Sequence, residues 1–140
     1  MKHIQILQMT NYSTPQKDTF ISGLKIVFTI LFFIYLGIMI YFSLIPGDEL
    51  IDTLIPKYSA ILHFLEFMGL SIIAILCLAL YNIKRPLLQI SGLIIIMSIL
   101  TESIQYFVPG RFFNVIDLCI NLFGGLILIV IMIYTQWRKK

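Results

Sequence analysis

Four long apolar runs constrain the fold of this chain more than any other feature. They cover residues 24–45, 59–83, 87–108 and 115–137. A bilayer core is about 30 Å thick, and roughly 20 helical residues are needed to cross it. Backbone polar groups cannot stay unpaired in hydrocarbon, so each run is expected to be an α-helix. The sequence therefore predicts an all-α integral membrane protein built as a four-helix bundle.

Composition supports a membrane protein and argues against other classes. Of the 140 residues, 59% are hydrophobic and 12% are charged, whereas soluble domains are about a quarter charged. No basic patch with interleaved aromatic residues accompanies the net charge of +3, so no nucleic-acid partner is expected. We expect residues 1–22 to be a cytoplasmic tail and residues 23–140 to be one transmembrane domain. No small-residue cleavage site follows the first apolar run, so no removable signal peptide is expected.

The distribution of Lys and Arg predicts the orientation. One end of the bundle receives Lys2, Lys17, Lys25, Lys84, Arg85, Arg138, Lys139 and Lys140. The other end receives Lys57 and Arg111. Because the basic end of a membrane protein faces the cytoplasm, both termini are expected there. The acidic loop after residue 46 and the Pro109-Gly110-Arg111 turn are then outside. The expected location is the cell membrane, with several passes.

Polar side chains collect near the outer ends of three predicted helices. At 1.5 Å of rise per residue, they fall within roughly 10 Å of those ends. Charged groups are costly in hydrocarbon and seldom lie there without a partner or a function. This candidate ligand-binding set, called here the outer polar layer, consists of His63, Glu66, Glu102, Gln105, Arg111, Asp117 and Asn121.

Arg111 is the expected counter-charge in this layer. A guanidinium can hold a carboxylate or a phosphate with two parallel hydrogen bonds. Without a ligand, Arg111 is expected to pair with Glu102 or Asp117. With one, it could accept an anionic headgroup.

Several polar or small residues also have structural explanations. Asp117 could complement the N-terminus of the fourth helix. Asn121 could bond across to the third helix, and Gly124 could allow close helix packing. Ser91 and Ser98 lie at helical spacing and indicate an interhelical contact.

Neither cysteine nor histidine spacing indicates a metal or redox site. The predicted helices place Cys77 and Cys119 on the order of 20 Å apart along the membrane normal, too far for a disulfide. Both are therefore expected to be free thiols. A metal site from one histidine and three carboxylates is conceivable, but an H-E-x-x-H pattern is absent, and no metal and no cofactor is assigned.

Four motifs carry a family resemblance. They are E-x-x-Q-x-F-x-P-G-R over 102–111, D-x-x-x-N-x-x-G over 117–124, H-F-x-E-F over 63–67 and Y-x-S-x-x-P over 41–46. Together they resemble the VanZ-like family of small bacterial membrane proteins. One departure is Ala60, where the family often has a lysine; Lys57 lies one turn away.

The resemblance implies a contribution to glycopeptide resistance, chiefly to teicoplanin, in a Gram-positive bacterium. Our first hypothesis is a binding protein for a membrane lipid or a lipid-linked anionic headgroup, with an acylated glycopeptide as a further candidate ligand. The second is an enzyme acting on a lipid or lipid-linked cell-envelope substrate. The layer has acid–base groups for this, but no nucleophile motif accompanies them and no catalytic residue is assigned. The third is a proton- or ion-coupled transporter. Four helices are few for a transporter, so several copies of the chain would need to assemble into a homo-oligomer.

The predicted orientation can be tested by cysteine labelling in intact cells. In a background carrying Cys77→Ser and Cys119→Ser, Gly110→Cys should react with a membrane-impermeant thiol reagent because its turn is outside. Arg85→Cys should not react until the cells are permeabilised. The opposite pattern would place the outer polar layer on the cytoplasmic side.

Overall fold

The computed structural model describes residues 15–46 and 59–137, which form four helices and contain no strand. The helices are α1 (Pro15–Leu44), α2 (Ser59–Leu80), α3 (Pro86–Tyr106) and α4 (Val115–Trp137). Each contains a segment long and apolar enough to cross a membrane. The all-α, four-helix membrane fold is thus confirmed. The acidic loop, Lys57, the first 14 residues and the last three lie outside the described residues.

The helix ends differ from the predicted runs for local reasons. The first helix begins at Pro15 rather than at residue 24, so part of the predicted tail is helical. Proline suits the first helical turn, where its missing N–H would have no partner, and Asp18 in that turn complements the helix dipole. Helix α2 stops at Leu80, just before Asn82, whose φ of 51° is left-handed. Helix α3 stops before the residue preceding Pro109, which is biased away from helical backbone.

The two middle helices form the centre of the bundle. Helices α2 and α3 contact each other, and both contact α1 and α4, whereas α1 and α4 do not meet. The core between them includes Met39, Phe67, Leu70 and Ile94. The outward surface is rich in large exposed apolar side chains, as expected of helices that face lipid on one side.

Two glycines of α4 permit close approach of its neighbours. A Cβ on Gly124 would collide with the backbone carbonyl oxygen of Phe64 in α2. A Cβ on Gly125 would lie 2.5 Å from the side chain of Ile94 in α3. The predicted role of Gly124 in close helix packing is therefore confirmed.

Helix α1 is attached to α2 by side chain–backbone hydrogen bonds. The Tyr35 hydroxyl donates to the backbone carbonyl of Glu66 at 2.8 Å, and it lies where Gly69 leaves room for it. Nearer the other end, the Cys77 thiol donates to the carbonyl of Phe28 at 3.1 Å. These contacts fix α1 against the helix that carries His63 and Glu66.

The serine and cysteine predictions had mixed outcomes. The Ser98 hydroxyl donates to the Leu118 carbonyl of α4 at 3.3 Å, which confirms an interhelical contact. Ser91 instead donates to the Leu87 carbonyl at 2.9 Å, so its hydroxyl bonds within its own helix. A serine near a helix surface finds this intrahelical acceptor without any neighbouring helix. Both cysteines are free, as predicted.

The α2–α4 contact predicts a large difference between two glycine substitutions. Gly124→Ala should destabilise the protein by about 1–3 kcal/mol because the new methyl group meets backbone rather than a movable side chain. Gly37→Ala is the control, since no atom lies within 4 Å of the position its Cβ would take. It should change stability by less than about 1 kcal/mol. Thermal unfolding in detergent measures both, and equal effects would contradict the close backbone contact.

Candidate functional site

A tight turn joins α3 to α4 and positions Arg111. The Arg111 N–H donates to the Val108 carbonyl at 3.1 Å, and Gly110 has a φ of 73°. Proline followed by a glycine with positive φ is the signature of a type II turn. The predicted turn at Pro109-Gly110 is thus confirmed, and it places Arg111 beside the ends of both helices.

Asn114 caps the N-terminus of α4 and holds Asp117. Its side-chain oxygen accepts the N–H of Ile116 at 2.9 Å, the arrangement of an N-capping residue. Its side-chain nitrogen donates to Asp117 Oδ2 at 2.8 Å. Asp117 therefore has the helix-start role that the sequence allowed, with its carboxylate near the positive end of the helix dipole.

Glu102 is the most deeply enclosed ionisable residue of the layer, with 0% of its surface exposed. Its Oε2 accepts the backbone N–H of Asn114 at 3.3 Å. Its Oε1 accepts the side-chain amide of Asn121 at 3.3 Å, which confirms the predicted bond between Asn121 and the third helix. One carboxylate of α3 thus binds both the start and the second turn of α4.

Asn121 also presents an acceptor without a partner. The residue is fully buried, and among the described residues its Oδ1 has no hydrogen-bond donor. An unsatisfied buried polar group costs about 1–3 kcal/mol. A bound water molecule or a protonated carboxyl group would remove that cost.

His63 and Glu66 form the accessible part of the layer. They lie one turn apart on α2, with His63 Nδ1 at 3.9 Å from Glu66 Oε2. Their side chains are 14% and 24% exposed, so a ligand can reach them more easily than it can reach Glu102. The separation is too long for a hydrogen bond.

Arg111 does not make the predicted ion pair with Glu102 or Asp117. Within residues 15–46 and 59–137, no carboxylate oxygen lies within 4.0 Å of a guanidinium nitrogen of Arg111. The two carboxylates are instead occupied by Asn114 and Asn121. Backbone and amide donors compete with a guanidinium for the same oxygens, and here they are fixed in place by the helix start.

Burial and the nearby carboxylates of the outer polar layer both affect the pKa of Arg111. Its partial burial lowers the pKa of the guanidinium, and the nearby carboxylates of Glu102 and Glu66 raise it. An arginine side chain stays protonated in proteins. Arg111 is therefore a half-buried cation near, but not bonded to, the carboxylates.

The structure brings the predicted site residues to the same end of the bundle. Gln105 is 5% exposed and lies in the last turn of α3, one turn beyond Glu102. Among the described residues, no three His, Cys, Asp or Glu side chains are grouped so that they could share a metal ion. That these residues bind a ligand remains a prediction.

One residue with a structural role in the layer, Tyr35, was missed by sequence reasoning. Asn114, three residues before Asp117 at the start of an apolar run, indicated a helix start there, and the structure shows that it holds both Glu102 and Asp117. Tyr35 supports the backbone of Glu66 from α1. No sequence signal indicates a bond to a backbone acceptor on another helix.

The geometry predicts strong coupling between Glu102 and Asn121 and weak coupling between Glu102 and Arg111. Glu102→Gln with Asn121→Ala should show an interaction energy of about 0.5–3 kcal/mol in a double-mutant cycle, because the residues share a buried hydrogen bond. Glu102→Gln with Arg111→Gln should be additive within about 0.5 kcal/mol. Thermal unfolding in detergent provides both cycles. Stronger coupling to Arg111 than to Asn121 would contradict the observed bonds.

Comparison with known proteins agrees with the motifs and extends them. A sequence model of the VanZ/LLP1 family matches residues 2–136, a wider region than the 41–125 segment that carries the motifs. No curated protein and no solved structure matches the chain. The family match covers nearly the whole sequence, and together with four helices of membrane-spanning length it shows that this chain is a multi-pass membrane protein belonging to the VanZ/LLP1 family.

Proposed function

We propose that the outer polar layer binds a phosphate-bearing headgroup of a membrane lipid or lipid-linked cell-wall precursor, and that this binding contributes to teicoplanin tolerance. The observation that carries the proposal is Arg111. It is a half-buried guanidinium at the helix ends, without an ion pair closer than 4.0 Å in the described part of the chain. Such a group can receive a phosphate with two parallel hydrogen bonds.

The carboxylates of the layer do not compete strongly for Arg111. Glu102 and Asp117 already accept hydrogen bonds from Asn121 and Asn114. A phosphate at Arg111 would therefore meet a cation to which neither Glu102 nor Asp117 is bonded.

The orientation predicted from Lys and Arg places this layer in the outer leaflet. Phospholipid headgroups and lipid-linked wall precursors are present on that side. Teicoplanin carries a fatty acyl chain and partitions into the same leaflet, so a protein that binds headgroups there could alter access of the drug to its target. Membership of the family supports this phenotype.

A second candidate function rests on the His63–Glu66 pair. An imidazole and a carboxylate one turn apart, both partly exposed, are suited to general acid–base work on a lipid-linked substrate. Detection of a modified lipid after incubation of the purified protein with lipid extract, lost on His63→Ala and Glu66→Gln, would favour this enzyme.

The binding proposal predicts separation of phenotype from protein abundance. Arg111→Ala should abolish raised teicoplanin tolerance in a Gram-positive host while the protein still reaches the membrane, because alanine cannot hold the phosphate. Arg111→Lys should retain part of it, because a lysine keeps the charge but loses the paired hydrogen bonds. Drug susceptibility and membrane abundance are measured together for each variant.

Ser91→Ala is the control, since Ser91 bonds within its own helix at the opposite end of the bundle. It should leave tolerance unchanged. If tolerance falls in proportion to protein abundance across all variants, the layer is structural and the binding proposal is wrong.

A further inference from the structure

A second feature, at the opposite end of the bundle from the outer polar layer, is an apolar groove between three helices. Its volume is about 220 Å³. It is lined by Phe32 of α1, Ala74 and Leu78 of α2, and Ile90 and Leu93 of α3. Ligand pockets for whole small molecules begin at about 300 Å³, so this groove fits part of one flexible apolar chain.

A basic turn lies at the end of this groove. The N–H of Ile83 donates to the carbonyl of Leu78, a lining residue, at 3.3 Å. Gln89, the polar residue of the lining, donates its backbone N–H to the carbonyl of Arg85 at 3.4 Å. Lys84 and Arg85 are exposed, and neither has an ion pair closer than 4.0 Å within the described ranges.

Other features at this end favour an anion. Lys25 of α1 lies with its Nζ 5.4 Å from the ring centroid of Tyr81. Helix α3 begins directly after Arg85, and no side chain caps its first turn, so its N-terminal N–H groups favour negative charge. Asp18 is the acidic residue at this end among those described, and Lys25, Lys84 and Arg85 are cations at the same end.

We propose that this groove binds an acyl chain of an anionic phospholipid from the adjacent leaflet, with the lipid phosphate held at Lys84 and Arg85. The apolar lining matches the chain, the basic turn matches the phosphate, and Gln89 lies between them at the level of the ester groups. Basic sites between transmembrane helices on the cytoplasmic side suit anionic headgroups. This site is separate from the outer polar layer and does not depend on its function.

The native thiol of Cys77 lines the groove and reports on its occupancy. In protein carrying Cys119→Ser, the rate at which Cys77 reacts with N-ethylmaleimide is measured in neutral detergent. Added dioleoylphosphatidylglycerol should slow the reaction several-fold. Equal amounts of dioleoylphosphatidylcholine, or of inorganic phosphate, should leave the rate nearly unchanged.

Charge variants identify where the headgroup binds. Lys84→Gln and Arg85→Asn should each weaken the protection by phosphatidylglycerol; asparagine is chosen because it tolerates the left-handed backbone at residue 85. Arg111→Gln removes one positive charge at the opposite end and should leave the protection intact.

Four results would overturn the proposal. Equal protection by phosphatidylcholine would show no preference for an anionic headgroup, and protection by phosphate alone would show a free-ion site. Absence of protection, or equal loss of it in Arg111→Gln, would show that the groove and its basic turn do not act together on a lipid.

Discussion

The organisation of this protein depends on a carboxylate buried among apolar helices. An uncompensated charge at such a position would be strongly unfavourable, so the surrounding chain has to supply donors. Glu102 receives one from the backbone at the start of α4 and one from Asn121 in its second turn. Both donors lie at the start or in the second turn of α4. Glu102 is therefore hydrogen-bonded only when α4 packs against α3. The tight turn at residues 108–111 makes this possible by returning the chain next to its own preceding helix.

That arrangement also determines which groups remain available. Donors fixed by helix geometry occupy the carboxylates of Glu102 and Asp117, which leaves Arg111 near negative charges but not bonded to them. Glu66 and His63, on a different helix, keep partial exposure. At this end of the bundle, Glu102 and Asp117 are therefore hydrogen-bonded within the protein, whereas His63 and Glu66 are partly exposed. A ligand would contact His63 and Glu66 first.

Sequence reasoning predicted the features that depend on composition or short spacing. Four apolar runs, the Pro109-Gly110 turn and the bond between Asn121 and the third helix follow from hydrophobic length, turn chemistry and the cost of burying polar groups. The absence of an ion pair at Arg111 could not be predicted, because it depends on which of several donors lies close enough in the folded structure to bond each carboxylate. The hydrogen bond from Tyr35 to the Glu66 backbone carbonyl could not be predicted from the sequence either, since every helical residue has a carbonyl that could accept it. The early start of α1 reflects helix-forming signals in polar residues that hydropathy alone does not register.

The two adjacent glycines of α4 differ in how mutation could be compensated. Gly125 faces the side chain of Ile94, so a smaller residue at position 94 could make room for a larger one at 125. Gly124 faces the backbone carbonyl of Phe64, and every amino acid at position 64 carries that same carbonyl. No exchange at the facing position can therefore relieve a side chain at 124. Of two neighbouring glycines, one belongs to a pair that can change together, and the other can be altered only if the helices themselves move apart.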